Sequence, residues 1–308
     1  KFHNTFLSSI MKYQVKGRIH GEINQLRSDN GGTVSGRLSM SNPNLQQVPA
    51  RNKEFGPMIR SLFVPEEGHK WGSFDYSQQE PRMTVHYAAS IGDGYEGSTE
   101  LVDAYHKAST DFHQTVADLV GIERVQAKTI GLGLMYGMGK NKLATSLGVS
   151  KEEATVLISK YNRKVPFVKM LSDRCMQTAS DKGVIRTKKG RKCRFDMWEP
   201  KDFGLYTAET FDNAVAKYGR ENIKRAYTYK ALNRLIQGSS ADQTKQAMLA
   251  CYEEGYLPIL QLHDELCFNV KSKADATEIK KIMENCIEFK LPFVVDVKTG
   301  GSWGTAHD

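Results

Sequence analysis

The chain has 308 residues, 40% hydrophobic and 25% charged, with 43 Lys and Arg against 35 Asp and Glu for a net charge of +8. That composition excludes wholesale disorder, and with no uncharged apolar run near about 18 residues it offers no membrane-spanning helix. The basic excess favours a polyanionic partner, because Lys and Arg that neutralise phosphates release condensed counterions.

The length suggests about two domains or one large one, enough to bury a core without disulfides or a structural metal. Cys175, Cys193, Cys251, Cys267 and Cys286 are odd in number and widely spaced, with no Cys-x-x-Cys. They fit neither a disulfide framework nor a zinc site, and a reducing, cytosolic setting is expected. Lys1-Phe2-His3 is neither an initiator Met nor the start of an apolar signal core, so a fragment of a longer chain is expected.

Residues 14–24 alternate in strand fashion, and 28–50, rich in Ser, Asn, Gly and Pro, read as an irregular loop. Lys70 to Asp75 is a short strand ending in an acidic turn, and from Gln79 to about Ser90 the period becomes helical. Helices are predicted at 99–107, 110–120, 123–136 and 151–164, then a basic hairpin at 183–195 and a polar, aromatic-dotted stretch at 199–222. A helix from about Arg225 to Glu254 leads to strands Ile259–Leu262 and Leu266–Val270, a helix at 272–288 and a last strand at 291–297. Strands, a helical block and more strands predict an α+β fold with a helical insertion in a sheet domain. No internal repeat or low-complexity tract interrupts this order.

Asp75 stands at a strand end, and Asp264 and Glu265 stand between two apolar strand segments in LQLHDELCF. Carboxylates rarely sit amid strand residues unless paired or bound to metal. If the strands are neighbours, Asp75 and Asp264 face each other and repel unless a divalent cation lies between them. Such hard oxygen ligands suit Mg²⁺ completed by substrate phosphates. Two ions about 3.5–4 Å apart serve an in-line phosphoryl transfer. Spacing alone equally describes ordinary turn residues capping strand ends.

In 123–136, Arg124, Lys128, Leu132 and Tyr136 recur every four residues along one helix face. Two cations, an apolar residue and an aromatic suit a nucleotide, although an ordinary surface helix with snorkelling cations has the same pattern. Gly131, Gly133 and Gly137 weigh against the ordinary helix, since each costs on the order of 1 kcal/mol in a helix interior relative to Ala. Three of them imply close approach by something, or a bend.

Residues 33–49 (TVSGRLSMSNPNLQQVP), 75–82 (DYSQQEPR), 124–137 (RVQAKTIGLGLMYG), 231–242 (ALNRLIQGSSAD) and 262–265 (LHDE) together resemble, in order, the polymerase domain of family-A DNA polymerases, most closely phage and bacterial members. The resemblance spans roughly residues 15 to 308. It implies a right-hand polymerase palm, an antiparallel sheet with flanking helices, carrying a helical fingers insertion, with the thumb largely absent. The implied division is a thumb or linker remnant at 1–15, palm at 16–94, fingers at 95–224 and palm again at 225–308.

The implied activity is template-directed DNA synthesis by two-metal phosphoryl transfer with two Mg²⁺ ions. The implied partners are primer–template DNA and deoxynucleoside triphosphates, for a monomer in the cytoplasm of a bacterial or phage-infected cell. The resemblance makes Asp75 and Asp264 the metal-binding carboxylates, with the Tyr76 carbonyl as a further ligand and Glu265 in support. Glu80 matches the residue that fills the space of a ribose 2′-OH, and Gln79 beside it falls in the nucleotide site. His113, Arg124 and Lys128 match triphosphate contacts, Lys128 with a catalytic role, and Tyr136 matches an aromatic beside the template base. Arg37, Asn44, Gln46, Asn233, Gln237 and His263 match contacts to the primer–template, in the minor groove or at the primer end, where readout is common to all base pairs.

Three departures stand out. Leu132 replaces an aromatic that lies against the incoming nucleotide, which predicts slower incorporation and poor acceptance of dideoxynucleotides. Pro81 replaces an aliphatic residue. Only about fifteen residues precede the first strand, too few for two long thumb helices. That predicts weak DNA affinity, low processivity and no proofreading, with a missing N-terminal region or partner protein. A single-subunit RNA polymerase-like enzyme shares the palm aspartates and the fingers Lys and Tyr, but Glu80 and the His-Asp-Glu turn argue against it. A non-catalytic nucleic-acid-binding remnant is the other alternative, opposed by Asp75, Asp264, Arg124 and Lys128 all being present.

Overall fold

The computed structural model describes residues 8–26, 32–49, 52, 54–107, 110–202, 204 and 206–307. Residues 1–7 of the expected N-terminal remnant, and residues 28–31 and 50 of the expected loop, lie outside them. The described residues form two compact units, one running up to Gln79 and resuming at Ser240, the other Glu80–Ser239. The breaks at 79/80 and 239/240 differ from the 94/95 and 224/225 that the resemblance implies. The helix Gln79–Ala89 explains the first of these. Beyond Gln79, its Arg82 lies 4.4 Å from the Tyr105 ring centroid and its Thr84 hydroxyl bonds Met135, contacts within the helical unit. Among the described residues no helix is long and apolar enough to cross a membrane.

The first unit is built on a four-stranded antiparallel sheet in the spatial order Pro258–Leu262, Glu265–Val270, Lys70–Tyr76, Val295–Gly300. Side chains alternate between the two faces. Phe74, Tyr76, Leu266 and Phe268 take one face, where Phe74 and Phe268 meet edge-on at 5.3 Å. The helix Lys273–Asn285 covers this face, and the Tyr76 hydroxyl donates to the Met283 carbonyl at 2.6 Å. On the other face, Trp71 and Cys267 pack with Leu260, Leu262, Ile59 and Trp303, the two indoles stacked at 5.9 Å. That cluster closes the lower end of the face and leaves the upper end, with Asp75, open.

Residues 14–24 form three short strands rather than one. Lys16 and Gly17 have φ of 51° and 81°, the two left-handed residues of a tight hairpin turn, so Gln14–Val15 folds back on Arg18–Ile19. Glu22–Asn24 pairs with Ser39–Ser41 inside the expected loop. The last strand begins at Val295, past Pro292, rather than at 291.

The second unit carries the expected helices as Ser98–Lys107, Phe112–Val120, Arg124–Met135 and Lys151–Lys164. It adds Lys140–Leu147, Pro166–Lys182 and Phe211–Tyr218, which the sequence reading passed over. Pro166 reads as a breaker but occupies the first helical position, where its missing N–H costs nothing. The long helix starts at Ala231 rather than Arg225, because Arg225 pairs in a strand with Trp198 and Tyr227 is left-handed at φ 62°. The basic run forms the hairpin Val184–Arg186 and Lys192–Arg194.

The glycines of Arg124–Met135 are explained by packing inside this unit. A Cβ on Gly133 would stand 2.8 Å from Leu143, and one on Gly131 3.1 Å from the Tyr161 hydroxyl. Gly137 combines φ 67° with a backbone oxygen, that of Tyr229, 2.8 Å from where its Cβ would be. Gly137→Ala therefore destabilises the protein by about 1–3 kcal/mol, the cost of a strained left-handed residue plus a backbone clash. Urea unfolding measures this, and an unchanged midpoint would contradict the packing described.

Candidate active site

The turn joining Pro258–Leu262 to Glu265–Val270 has only two residues, His263 and Asp264, because Leu262 already pairs with Glu265. His263 takes φ 57° to make it. The turn is held from three sides. Tyr76 N–H donates to the Asp264 carbonyl at 3.2 Å, the Gln261 amide donates to the His263 carbonyl at 2.7 Å, and the Gln46 amide donates to Gln261 Oε1 at 3.0 Å. Asn44 accepts from Gln46 N–H at 3.1 Å, capping the short helix Leu45–Gln47.

Register then concentrates carboxylates. Glu265 lies directly across from Asp75 on one neighbouring strand, and Asp296 lies directly across from it on the other. Directly opposed residues share a face, and like charges so placed repel. Asp75, Asp264, Glu265 and Asp296 line one cleft of about 880 Å³, together with His263, Arg60 and Lys298. Asp75 is exposed along the cleft but walled on its other sides. Burial, then the charges of Asp264, Glu265 and Asp296, push its carboxyl up to about 8, with Lys298 opposing. Burial also raises Asp264, against Arg37 and His263, and raises Glu265, which the charge of Arg60 opposes.

This donor set suits a hard divalent cation. Carboxylates crowded enough to hold a proton near neutrality are relieved by a cation, and Mg²⁺ needs only one or two of them beside phosphate oxygens. Among the described residues no three His, Cys, Asp or Glu side chains converge into a ready-made cage. The Tyr76 ring points into the core, where burial raises its phenol well above the usual value, so a ligand would meet its backbone. Gln79 is buried, its amide donating to Gln243 Oε1 at 3.0 Å and Thr244 Oγ1 at 3.3 Å.

The helical unit holds the second constellation. Arg124 and Lys128 are exposed, Leu132 is half-buried and Tyr136 is exposed at the helix end, while Ala127, Ile130, Gly131 and Met135 face inward. Arg124 is held by Asp111, with Nε and Nη2 donating to Oδ2 at 2.8 and 2.6 Å. The other oxygen of Asp111 caps Phe112–Val120 by accepting from His113 N–H at 2.9 Å. His113 is buried, which pulls its imidazole down to about 4, with Asp111 opposing and Lys128 and Arg124 reinforcing. Among the described residues its Nδ1 finds no hydrogen-bond partner. The Tyr136 hydroxyl donates to Glu80 Oε2 at 2.6 Å, fixing a carboxylate that is otherwise almost wholly enclosed. Asn233 and Gln237 are half-buried one turn apart on the helix Ala231–Glu253.

Asp296, Lys298 and Arg60 were missed from sequence. Asp296 carried a usable signal, an acid inside the β-branched run FVVDVK, which is the same anomaly as LQLHDELCF.

The profile of DNA polymerase family A matches residues 1–305. A DNA-directed DNA polymerase of Pseudomonas phage M6 is 41% identical, over 99% of this chain and 49% of its own length. DNA polymerase I of Caldicellulosiruptor bescii is 35% identical, over 93% of this chain and 32% of its own. Among solved structures, the POL domain of Pol1 from M. smegmatis, in complex with DNA primer-template and dNTP, superposes with a TM-score of 0.77. It is 30% identical, over 99% of this chain and 51% of that one. The chain thus spans about a third to a half of the length of these relatives.

Proposed function

Because the chain belongs to DNA polymerase family A, we propose that it performs template-directed DNA synthesis, adding deoxynucleotides to a primer 3′-OH. The observation that carries this reading is the in-register pair Asp75 and Glu265, with Asp264 on the adjoining turn, opening on one cleft. The sheet unit is the palm and the helical unit the fingers, acting as a monomer on primer–template DNA and deoxynucleoside triphosphates. Phage and bacterial relatives support a setting in the cytoplasm of a bacterial or phage-infected cell.

Asp75 and Asp264, with the Tyr76 carbonyl, would hold two Mg²⁺ ions, and Glu265 would support them. When bound, the ions supply a lowered pKa at the primer hydroxyl and charge neutralisation at the departing pyrophosphate. Arg124 and Lys128 present fixed positive charge to the triphosphate, and Lys128 offsets charge developing on the leaving group. His113, held neutral by burial, offers a ring nitrogen to the same triphosphate. Gln79 backs the nucleotide site from the buried side, and Glu80, pinned by Tyr136, occupies the space of a 2′-hydroxyl. Arg37, Asn44, Gln46, Asn233, Gln237 and His263 serve the primer–template, the two glutamines and Asn44 within the hydrogen bonds already described or on the helix face.

Extension of a labelled primer tests the reading. Mg²⁺-dependent products are expected with dNTPs and far fewer with NTPs; a folded chain that extends nothing, beside a longer version that also extends nothing, overturns it. Leu132 offers a nucleotide less contact than an aromatic ring would. Leu132→Phe is expected to raise single-turnover incorporation about two- to tenfold, the value of an added aromatic contact, and Leu132→Tyr to raise dideoxynucleotide uptake. Identical single-turnover rates in all three proteins would refute that role.

A further inference from the structure

The strand Val295–Gly300 brings two charged residues into the cleft that the reaction described above does not employ. It pairs with Lys70–Tyr76 on the side away from Glu265–Val270, setting Asp296 across from Asp75 and Lys298 across from Ser73. Opposed residues, and residues two apart along a strand, share a face. Asp296 and Lys298 therefore stand on the same face as Asp75, and both line its cleft. Across the three strands the order is Glu265, Asp75, Asp296, a row of carboxylates with a lysine beside one end. Arg60 acts on Glu265 at the other end, and the charge of Lys298 acts on Asp75.

We infer that Lys298 is a resident counter-ion of this carboxylate row, steadying Asp75 and Asp296 in the metal-free protein and competing with a divalent cation for them. The inference rests on the reading that Asp75 and Asp264 hold the ions. A lysine on an edge strand has a blander use, since charge there discourages pairing with another sheet edge. It also has a different use, contact with a DNA phosphate. Either use served with the ammonium held away from the carboxylates leaves the affinity of a bare cation unchanged in the absence of DNA, whereas a counter-ion beside them weakens it. A unit charge one or two strand spacings from a divalent ion in a wet cleft changes its affinity roughly three- to tenfold.

The test is Mn²⁺ binding to the whole chain without DNA or nucleotide, with free Mn²⁺ read by electron paramagnetic resonance. Lys298→Met is expected to tighten the Mn²⁺ Kd three- to tenfold, to lower the metal-free Tm at pH 8, and to enlarge the Tm gain on adding Mg²⁺. Lys298→Arg stays close to the parent, and added salt narrows the gap between parent and Lys298→Met. Lys298→Gln takes the place of Lys298→Met if the latter does not fold. An unchanged Mn²⁺ Kd overturns the inference, whether accompanied by aggregation, which marks an edge guard, or by weakened DNA binding, which marks a phosphate contact. Asp264→Asn tests the premise separately: Mn²⁺ binding that survives it refutes the metal assignment, an outcome distinct from an unresponsive Lys298.

Discussion

Asp75→Asn loses primer extension by about three orders of magnitude and yet melts higher than the parent at pH 8. The first effect follows if Asp75 holds the ions as proposed, since such ions are worth several kcal/mol of transition-state stabilisation, each 1.36 kcal/mol being tenfold in rate. The second follows from the crowding of Asp75 between Glu265 and Asp296. Its carboxyl titrates near 8 when folded, against the usual range near 4 when unfolded. The folded state therefore binds this proton more tightly than the unfolded chain. The stability linked to it is fully present below about pH 4 and is lost as the pH rises through about 8.

Asparagine keeps the shape without the charge and relieves two opposed like-charge pairs, each costing roughly 0.2–1 kcal/mol across a sheet. In a chain of this size the gain amounts to about 1–3 °C in Tm. It should be absent at pH 4 and should shrink when Mg²⁺ is added to the parent. Calorimetry at the two pH values, with and without Mg²⁺, checks it. A variant that melts lower than the parent at pH 8 would show that the row is not strained.

Glu80→Ala lowers discrimination against ribonucleotides roughly ten- to hundredfold. The expectation rests on steric exclusion, since forcing extra atoms into a filled site costs about 1–3 kcal/mol. Glu80 fills its site rigidly because it is enclosed and its Oε2 accepts from the Tyr136 hydroxyl. Tyr136→Phe removes only that tether and lowers discrimination less, while Glu80→Gln, which still accepts the bond, stays near the parent. The ratio of kcat/KM for dNTP and NTP on one primed template is the measurement. A ratio unmoved by Glu80→Ala would remove Glu80 from sugar selection.

Much of this was legible before any coordinates. Strand-ending Asp75 and the Asp264–Glu265 pair announced themselves because charged residues amid apolar strand segments are costly without a partner. The Arg124, Lys128, Leu132, Tyr136 stripe was legible because a four-residue repeat stays on one helix face, and that face is the outer one. The helix Pro166–Lys182 was not, although Phe167, Val168, Leu171, Cys175 and Ala179 give it a regular inward face; a proline two residues after Lys164 signals a break as readily as a first helical position. The helix glycines signalled close approach without naming what approaches, and the answers, Leu143, Tyr161 and Tyr229, come from other elements.

The sequence by itself determined that acidic residues would stand at strand ends, that one helix would display two cations and an aromatic, and that the order of elements would be sheet, helices, sheet. Periodicity and the cost of burying charge are local properties, readable along the chain. Only the tertiary structure decided that Asp296 and Lys298 share the cleft of Asp75, that Arg124 is held by Asp111, and that Tyr136 fixes Glu80. Each of those pairings depends on strand register or helix packing between residues distant in sequence, and a one-residue slip in register would turn Asp296 and Lys298 to the opposite face of the sheet.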